Sequence, residues 1–292
     1  MTIALQLEGW SRNWPAPAKL NLMLRILHRR PGGYHNLQTV FQFIQQADSL
    51  DFRVRPDGLI RRIQGLAGVA EADDLTIRAA TLLQTSTGCA FGADIRLDKR
   101  LPLGAGLGGG SSDAATVLVA LNHLWGCGLS RADLATLGVQ LGADVPVFVV
   151  GQAAWAEGVG ERLQPLDLPE PFYLVLIPPC QVSTAKIFAD QQLTRASSAI
   201  TICDFMTGCH VNHCLPTVLR HFPPVAEAFA WLQQFAEARL TGTGACVFAE
   251  FPNAVAAQQV LEQIPADCRG FFAQGLNQSP LYQRVADEPT LA

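Results

Sequence analysis

Charge is scarce in this 292-residue chain, and that scarcity narrows its function before any motif is read. Charged side chains make up 16% of it, with 21 Lys and Arg against 25 Asp and Glu, for a net charge of −4. No basic stripe with interleaved aromatics is present, so nucleic acid is not an expected partner. No apolar run approaches the roughly 18–20 residues of a membrane span. The first ten residues lack a basic segment followed by a long apolar core, so neither a secretory signal nor a membrane partner is expected. The eight cysteines are scattered through a chain large enough to bury a core of its own, which suits reduced thiols in the cytoplasm. Cys203, Cys209, His210, His213 and Cys214 lie close together, but their spacing matches no closed zinc set, and no metal ligand is assigned.

Apolar residues and glycine are abundant, at 49% of the chain and 25 residues respectively. This composition and length suit a well-buried α/β protein of about two domains. The glycines concentrate in LPLGAGLGGGSSD (101–113), where five of thirteen residues are glycine. Ala93 to Leu97 alternates as a strand does just before this segment. Ala114, Val117, Leu118, Leu121, Leu124 and Trp125 fall on one helical face just after it. Ser111, Ser112 and Asp113 are suited to cap that helix and form its first turn. A glycine-rich loop lets backbone approach a ligand closely. The unpaired N–H groups of a helix N-terminus then make an anion site, most often for phosphate. The alternative is a plain connection between strand and helix.

The loop fits none of the commonest phosphate patterns. Gly104, Gly106 and Gly109 satisfy G-x-G-x-x-G, but no strand ending in an acidic residue follows about 20 residues later. No lysine stands before Ser111, as a Walker A loop requires, and no V-A-I-K strand follows, as a protein kinase requires. A lysine for the phosphates must come from elsewhere in the chain.

Taken in order, residues 1–13 read as a loose extension. Lys19, Asn21, Met23 and Arg25 alternate with Leu20, Leu22, Leu24 and Ile26, which predicts a strand with Lys19 and Asn21 side by side. They are either a polar site pair or an ordinary exposed face. RRPGGYHN (29–36) predicts a turn with Tyr34 and His35 just past it, either a grip for a planar ligand or a structural pair. A strand is predicted over 37–44, short strands and turns over 50–72, and a capped helix over 73–83. SRAD (130–133) resembles a capping box, with Gly142 as the residue ending its helix. Asp144 sits before Pro146 and an apolar run at 147–150 that reads as a strand, and is either a turn cap or a positioned base. Residues 153–165 read as a turn-rich crossing into a second unit. A buried strand over 172–178, a short helix within 182–190, a weak stretch at 190–216 and a helix over 225–235 follow. A small-residue loop then runs into a strand at 240–249, and a helix over 254–263 and a strand over 270–273 end the chain.

Four of these segments in this order resemble the GHMP kinases: PAKLNL (17–22), PLGAGLGGGSS (102–112), LGADVP (141–146) and LTGTGACVF (240–248). GYHNLQTVFQ (33–42) resembles a branch of that family acting on a cytidine diphosphate-linked polyol. The resemblance implies a two-domain α/β (α+β) fold. Residues 1–155 would form a ribosomal-protein-S5-like α/β domain with the ATP-phosphate loop and catalytic groups, and residues 156–292 a ferredoxin-like domain completing the substrate cleft. It implies ATP and Mg²⁺ as cofactors, small-molecule substrates, and a monomer or weak homodimer. Lys19 and Asp144 match the family's catalytic pair. Pro102, Leu103, Gly104, Ala105, Gly106, Leu107, Gly108, Gly109, Gly110, Ser111 and Ser112 match its ATP loop. Cytidine is implied between Tyr34 and Phe188, with His35 reading the base edge, and with Asn21, Thr184, Gly242 and Thr243 beside the substrate. Asp74 falls where an adenine contact is implied, and Asp113 puts a carboxylate beside the phosphate loop. The rival readings are a sister kinase acting on homoserine or a mevalonate, a dinucleotide-binding oxidoreductase, and a non-catalytic nucleotide-binding protein.

Overall fold

The structure is a computed structural model that describes residues 9–29, 35–64 and 69–289. Two long antiparallel strands open it, β1 (Ser11–Arg29) and β2 (His35–Arg55). Residues 11–13 thus belong to a strand rather than to an extension, while residues 1–8 lie outside the described residues. The register shifts twice near the middle of the pair. Two extra residues of β2 lie opposite the Pro17–Ala18 step, and one extra residue of β1, Leu22, lies between Asn21 and Met23.

The second shift decides which side chains share the site. An extra residue carries every later side chain to the opposite face. Leu24, not Met23, therefore follows Lys19 and Asn21 into the cleft, and Met23 is buried behind the sheet with Leu20 and Val40. The alternation predicted for 19–25 holds only as far as Leu22.

The chain continues through β3 (Ile60–Arg62), α1 (Leu75–Thr87), β4 (Gly92–Asp98), α2 (Gly109–Leu124), α3 (Arg131–Val139) and α4 (Val145–Val150). Next come β5 (Ala154–Gly158), β6 (Arg162–Pro165), β7 (Phe172–Ile177), α5 (Thr184–Ala189), α6 (Ile202–Met206), α7 (Leu215–His221) and α8 (Pro223–Leu232). Last are β8 (Arg239–Leu240), β9 (Val247–Phe251), α9 (Ala254–Leu261), β10 (Arg269–Leu276) and α10 (Leu281–Asp287). Among the described residues all ten strands join one mixed sheet, whose main path runs β3-β4-β2-β10-β7-β9-β8. Gly275 opposite Ile44 and Leu276 opposite Phe43 tie its two halves together. No helix of the described residues is long and apolar enough to cross a membrane.

Helix starts follow local chemistry where a cap is present. Asp74 caps α1, the Ser130–Asp133 capping box opens α3, and Ser183 caps α5. Elsewhere tertiary structure prevails. Helix α2 starts at Gly109, with Gly108 as its N-cap, three residues before the hydroxyls expected to cap it. Helix α3 ends at Val139, so Gly142 is not its terminal residue. The run after Asp144 is helix α4 rather than a strand; Pro146 sits in its first turn, where the missing N–H costs nothing. Residues 154–165 form the β5–β6 hairpin rather than a crossing.

Three apolar clusters hold these elements. One packs α1 to α4 against the first half of the sheet around Phe43, Phe52, Leu118 and Phe148. A second fills the space between β7, β9 and α7 to α9 around Leu174, Val225, Leu232 and Val247. The third, with Leu20, Met23, Tyr173 and Phe248, joins the two. Twelve of the sixteen residues of α2 are buried, so its position beneath the glycine loop is fixed by packing on nearly every side. Truncating Leu118 to Ala would cost about 2–5 kcal/mol.

Candidate active site

The glycine loop between β4 and α2 crosses the sheet with Gly104, Gly106 and Gly108 in the left-handed region, at φ of 64°, 81° and 72°. At two of them space is as restrictive as conformation. A Cβ on Gly106 would stand 2.3 Å from the Thr241 carbonyl oxygen, and one on Gly108 would stand 2.8 Å from the Phe148 ring. The loop is strapped down by backbone bonds from Lys19 to the Leu107 carbonyl, at 3.0 Å, and from Cys246 to the Ala105 carbonyl, at 3.1 Å. No side chain caps α2, whose first-turn N–H groups therefore keep their capacity for an anion.

Those groups border a cleft of about 460 Å³. Pro102 to Gly106, Gly108 to Gly110 and Ser111 line it. Leu107 is packed in the third apolar cluster and Ser112 is buried in the first turn of α2, and neither forms part of the wall.

Lys19 and Asp144 meet at the cleft floor. Lys19 is 2% exposed, and its Nζ lies 3.2 Å from Asp144 Oδ2. It also donates to the Gly106 carbonyl at 3.0 Å and to Asn21 Oδ1. An ammonium has three N–H donors, and here each has its own acceptor. Asp144 stands at the start of α4 but makes no capping bond, and a third of its side chain is open to the cleft. Of the two roles open to it, the local cap is not what the side chain does.

The opposite wall comes from distant segments. Thr184 Oγ1 and Thr243 Oγ1 lie 2.9 Å apart, joining α5 to the 240–244 loop. His35 stacks on Phe188, with ring centroids 5.1 Å apart and planes 26° apart. Asn21, Thr184, Phe188, Gly242 and Thr243 all line the cleft. Tyr34 lies outside the described residues. The structure thus brings together the polar pair, the glycine loop, Asp144 and the second small-residue loop from positions over 220 residues apart.

Two carboxylates turn out not to face the cleft. Asp74 caps α1 and pairs with Arg62 at 2.7 Å. Asp113 is buried behind the loop, where Lys99 Nζ donates to it at 2.7 Å. Burial and the neighbouring Asp48 push its carboxyl up to about 8, although Lys99 pulls the other way. Among the described residues no three His, Cys, Asp or Glu side chains are grouped to hold a metal ion. Among the described residues the cleft wall carries side-chain oxygens of Asp144, Asn21, Ser111, Thr39, Thr184 and Thr243, a set that suits a hard cation carried largely by phosphate.

Supporting residues were not visible beforehand. Asn212, in the stretch whose pattern is weak, donates to the carbonyls of Leu240 and Gly242 at 2.8 and 2.9 Å and so holds the second loop in place. Thr241 accepts from the Asn21 backbone N–H and donates to the Gly106 carbonyl, both at 3.0 Å. Neither has a local signature, because these partners are 28 to 220 residues away.

Comparison with known proteins agrees with this geometry. The family model of the GHMP kinases N terminal domain matches residues 74–152, and that of the GHMP kinases C terminal matches residues 193–270. The chain is 58% identical over 280 residues to the 4-diphosphocytidyl-2-C-methyl-D-erythritol kinase of Alkalilimnicola ehrlichii, covering 96% of each chain. It is 55% identical over 272 residues to the protein of that name from Methylococcus capsulatus, covering 93% of this chain and 94% of the relative. A crystal structure of 4-(cytidine 5'-diphospho)-2C-methyl-D-erythritol kinase superposes with a TM-score of 0.79 at 33% identity, over 91% of this chain and 99% of the other. A homoserine kinase from Cytophaga hutchinsonii superposes with a TM-score of 0.64 at 14% identity, over 92% and 96%, and shares the fold.

Proposed function

The chain belongs to the GHMP kinases, and on that premise we propose that it transfers the γ-phosphate of ATP to the 2-hydroxyl of 4-diphosphocytidyl-2-C-methyl-D-erythritol, a step of non-mevalonate isoprenoid precursor synthesis. The observation that carries this reading is the Lys19–Asp144 pair, 3.2 Å apart, in the same cleft as the uncapped N-terminus of α2. The family supplies the reaction; the cleft sets a carboxylate, an ammonium and an uncapped helix N-terminus within reach of one another.

In this reading the phosphates of ATP lie along the glycine loop against the first-turn N–H groups of α2. The Asp144 carboxylate takes the proton of the acceptor hydroxyl as its oxygen attacks the γ-phosphorus. The bond to the bridging oxygen of the β-phosphate breaks, and ADP leaves. Lys19 orients the carboxylate and offsets charge on the transferring group. Mg²⁺, held by the nucleotide phosphates with Ser111 and Asp144 as protein oxygens, would neutralise phosphate charge. Positioning and electrostatics thus account for most of the rate.

The cytidine end is read as lying by Tyr34, His35 and Phe188, with Thr184, Thr243 and Gly242 along the diphosphate and polyol. Residues 1–155 would carry the ATP loop and the catalytic pair, and residues 156–292 would close the substrate side. That division is supported by the two apolar clusters that meet at a third. A cytoplasmic site of action is supported by eight unpaired cysteines.

The test is ADP release by purified protein with Mg²⁺-ATP and each of three acceptors. Turnover with the cytidylyl polyol alone is expected. Turnover with homoserine or mevalonate instead would overturn the substrate, and inactivity with all three would overturn the reaction.

A further inference from the structure

The Lys19 side chain is aimed by a chain of hydrogen bonds whose direction can be worked out donor by donor. Thr39, on β2, lines the same cleft and is 1% exposed. Its Oγ1 lies 2.6 Å from the Met23 carbonyl oxygen and 2.8 Å from Asn21 Nδ2. A hydroxyl has one proton, and a carbonyl can only accept. Thr39 therefore gives its proton to Met23 and has only lone pairs left for Asn21. That turns the Asn21 amide so that its NH₂ faces Thr39 and its oxygen faces Lys19. Lys19, an ammonium with no acceptor capacity, requires that same orientation from the other end.

The Asn21 backbone is held as well. Its N–H donates to Thr241 Oγ1, whose own proton goes to the Gly106 carbonyl, the oxygen that also accepts from Lys19. Asn21 is thus pinned at its main chain by one threonine and at its side chain by the other. Thr39 shares the Asn21 face because β2 runs without a shift from Phe41, opposite Asn21, to Thr39, opposite Leu24.

We propose that Thr39 is a positioning residue for phosphoryl transfer: its hydroxyl fixes the Asn21 amide, and through it the direction in which Lys19 addresses Asp144 and the transferring phosphate. The proposal rests on the kinase reading. Valine at this position fills nearly the same space but removes the acceptor of Asn21 Nδ2 and the hydroxyl bond to the Met23 carbonyl. The amide then turns to other partners and Lys19 loses one of its three acceptors. The consequence falls on the chemical step, since Lys19 and Asp144 act there, and a displacement of about 1 Å at such a pair can cost on the order of 100-fold.

The experiment compares wild type, Thr39→Val and Thr39→Ser, with kcat normalised to the number of nucleotide sites titrated with ATP. Thr39→Val is expected to lower kcat roughly 10- to 100-fold while KM for ATP and for the cytidylyl substrate change less than about threefold. Thr39→Ser, which keeps the hydroxyl, is expected to return within about threefold of wild type. Thr39→Val is also expected to add almost nothing in an Asn21→Ala background. A Thr39→Val kcat within twofold of wild type, or additive losses with Asn21→Ala, would overturn the proposal. So would failure of serine to rescue.

A second measurement serves if the valine variant does not fold or if no acceptor is turned over. In ¹⁵N-labelled wild type, the Asn21 side-chain amide, identified by its absence in Asn21→Asp, should show two resolved protons protected from solvent exchange. An averaged or fast-exchanging pair would overturn the pin itself. Because this signal needs no turnover, it separates failure of the Thr39 argument from failure of the kinase reading.

Discussion

Lys99 Nζ lies 2.7 Å from Asp113 Oδ2 directly behind the glycine loop, so near that a Cβ on Gly109 would stand 3.0 Å from the ammonium. The same ammonium donates to Asp48, which also accepts from the backbone N–H groups of Arg100, at 2.6 Å, and Leu101, at 2.8 Å. One lysine thus joins β2, through Asp48, to α2, through Asp113, at the start of the loop. Two carboxyls share one cation, and burial and the neighbouring Asp48 push the Asp113 carboxyl up to about 8, against the pull of Lys99. A carboxyl beside the glycine loop is tolerable there because its raised pKa favours the neutral form and it does not line the cleft.

The first prediction follows from that raised pKa. An aspartate in the unfolded chain titrates near 4, whereas folded Asp113 titrates at about 8. Between these values the folded state holds a proton that the unfolded state has released. The contribution of Asp113 to stability is therefore complete below about pH 4 and is lost as pH rises through about 8. Lys99 is raised above its usual 10.5, Asp113 and Asp48 outweighing the burial that lowers it, and does not titrate in that window. Urea unfolding at pH 5 and pH 8 should show Asp113→Asn losing less stability than wild type across the interval. Asp48→Asn, which weakens three bonds at once, should destabilise by about 3 kcal/mol at either pH. Equal pH slopes for wild type and Asp113→Asn would place the proton elsewhere.

The second prediction separates two glycines of one loop. Both Gly104 and Gly106 have positive φ, but a Cβ on Gly104 would meet nothing within 4 Å, whereas one on Gly106 would enter the Thr241 carbonyl at 2.3 Å. Gly104→Ala should cost only the left-handed penalty of about 1–2 kcal/mol in stability and keep ATP affinity within a few-fold. Gly106→Ala must push the loop off Thr241 and Lys19, and should weaken ATP binding more than about tenfold by calorimetry. Equal effects would mean that conformation rather than close approach governs the loop.

Much of this arrangement was legible because its signals are local. Five glycines and two hydroxyls in thirteen residues, and a capping box at Ser130, depend on near neighbours alone. The parity that set Lys19 beside Asn21 was equally local and held up to the bulge at Leu22, which no pattern announces. The run at 147–150, which reads as a strand because it is rich in valine, lies in the six-residue helix α4. A helix forms there because five of the six residues of α4 are buried against α2 and α3, and packing of that extent overrides intrinsic propensity. The start of α2 was misplaced for a related reason. Ser111 is the better cap by propensity, but Gly108 alone fits between Phe148 and Lys19 in the left-handed region. Asn212, Thr241 and the Asp48–Lys99–Asp113 set join distant segments and leave no trace in sequence spacing.

The third prediction concerns the aromatic wall. Phe188 stacks on His35 at 5.1 Å from a six-residue helix held by Ser183 at one end and by Arg195 at the other, where Arg195 donates to the carbonyls of Phe188 and Asp190. If this ring grips the cytosine, Phe188→Ala should weaken the cytidylyl substrate by about 1–3 kcal/mol, which is roughly 5- to 150-fold. ATP affinity should be unchanged. Titration calorimetry with each ligand checks both halves, and equal weakening of the two would argue that α5 supports the whole cleft rather than the base.

The last prediction bears on Asp144. Its carboxylate makes no capping bond, faces Lys19 at 3.2 Å and is, among the described residues, the one acidic side chain in the cleft wall. Asn at this position keeps the shape, the backbone and a carbonyl oxygen for Lys19, but it cannot take a proton. Asp144→Asn should therefore lower kcat by at least about 100-fold while ATP still binds within a few-fold, because the phosphate cradle is made of the loop and α2 and not of Asp144. Losing ATP binding along with turnover would point to a carboxylate that organises the nucleotide or its metal. Near-normal turnover would leave the acceptor hydroxyl without a protein base, and the chemistry would then rest on Lys19, the loop and the nucleotide alone.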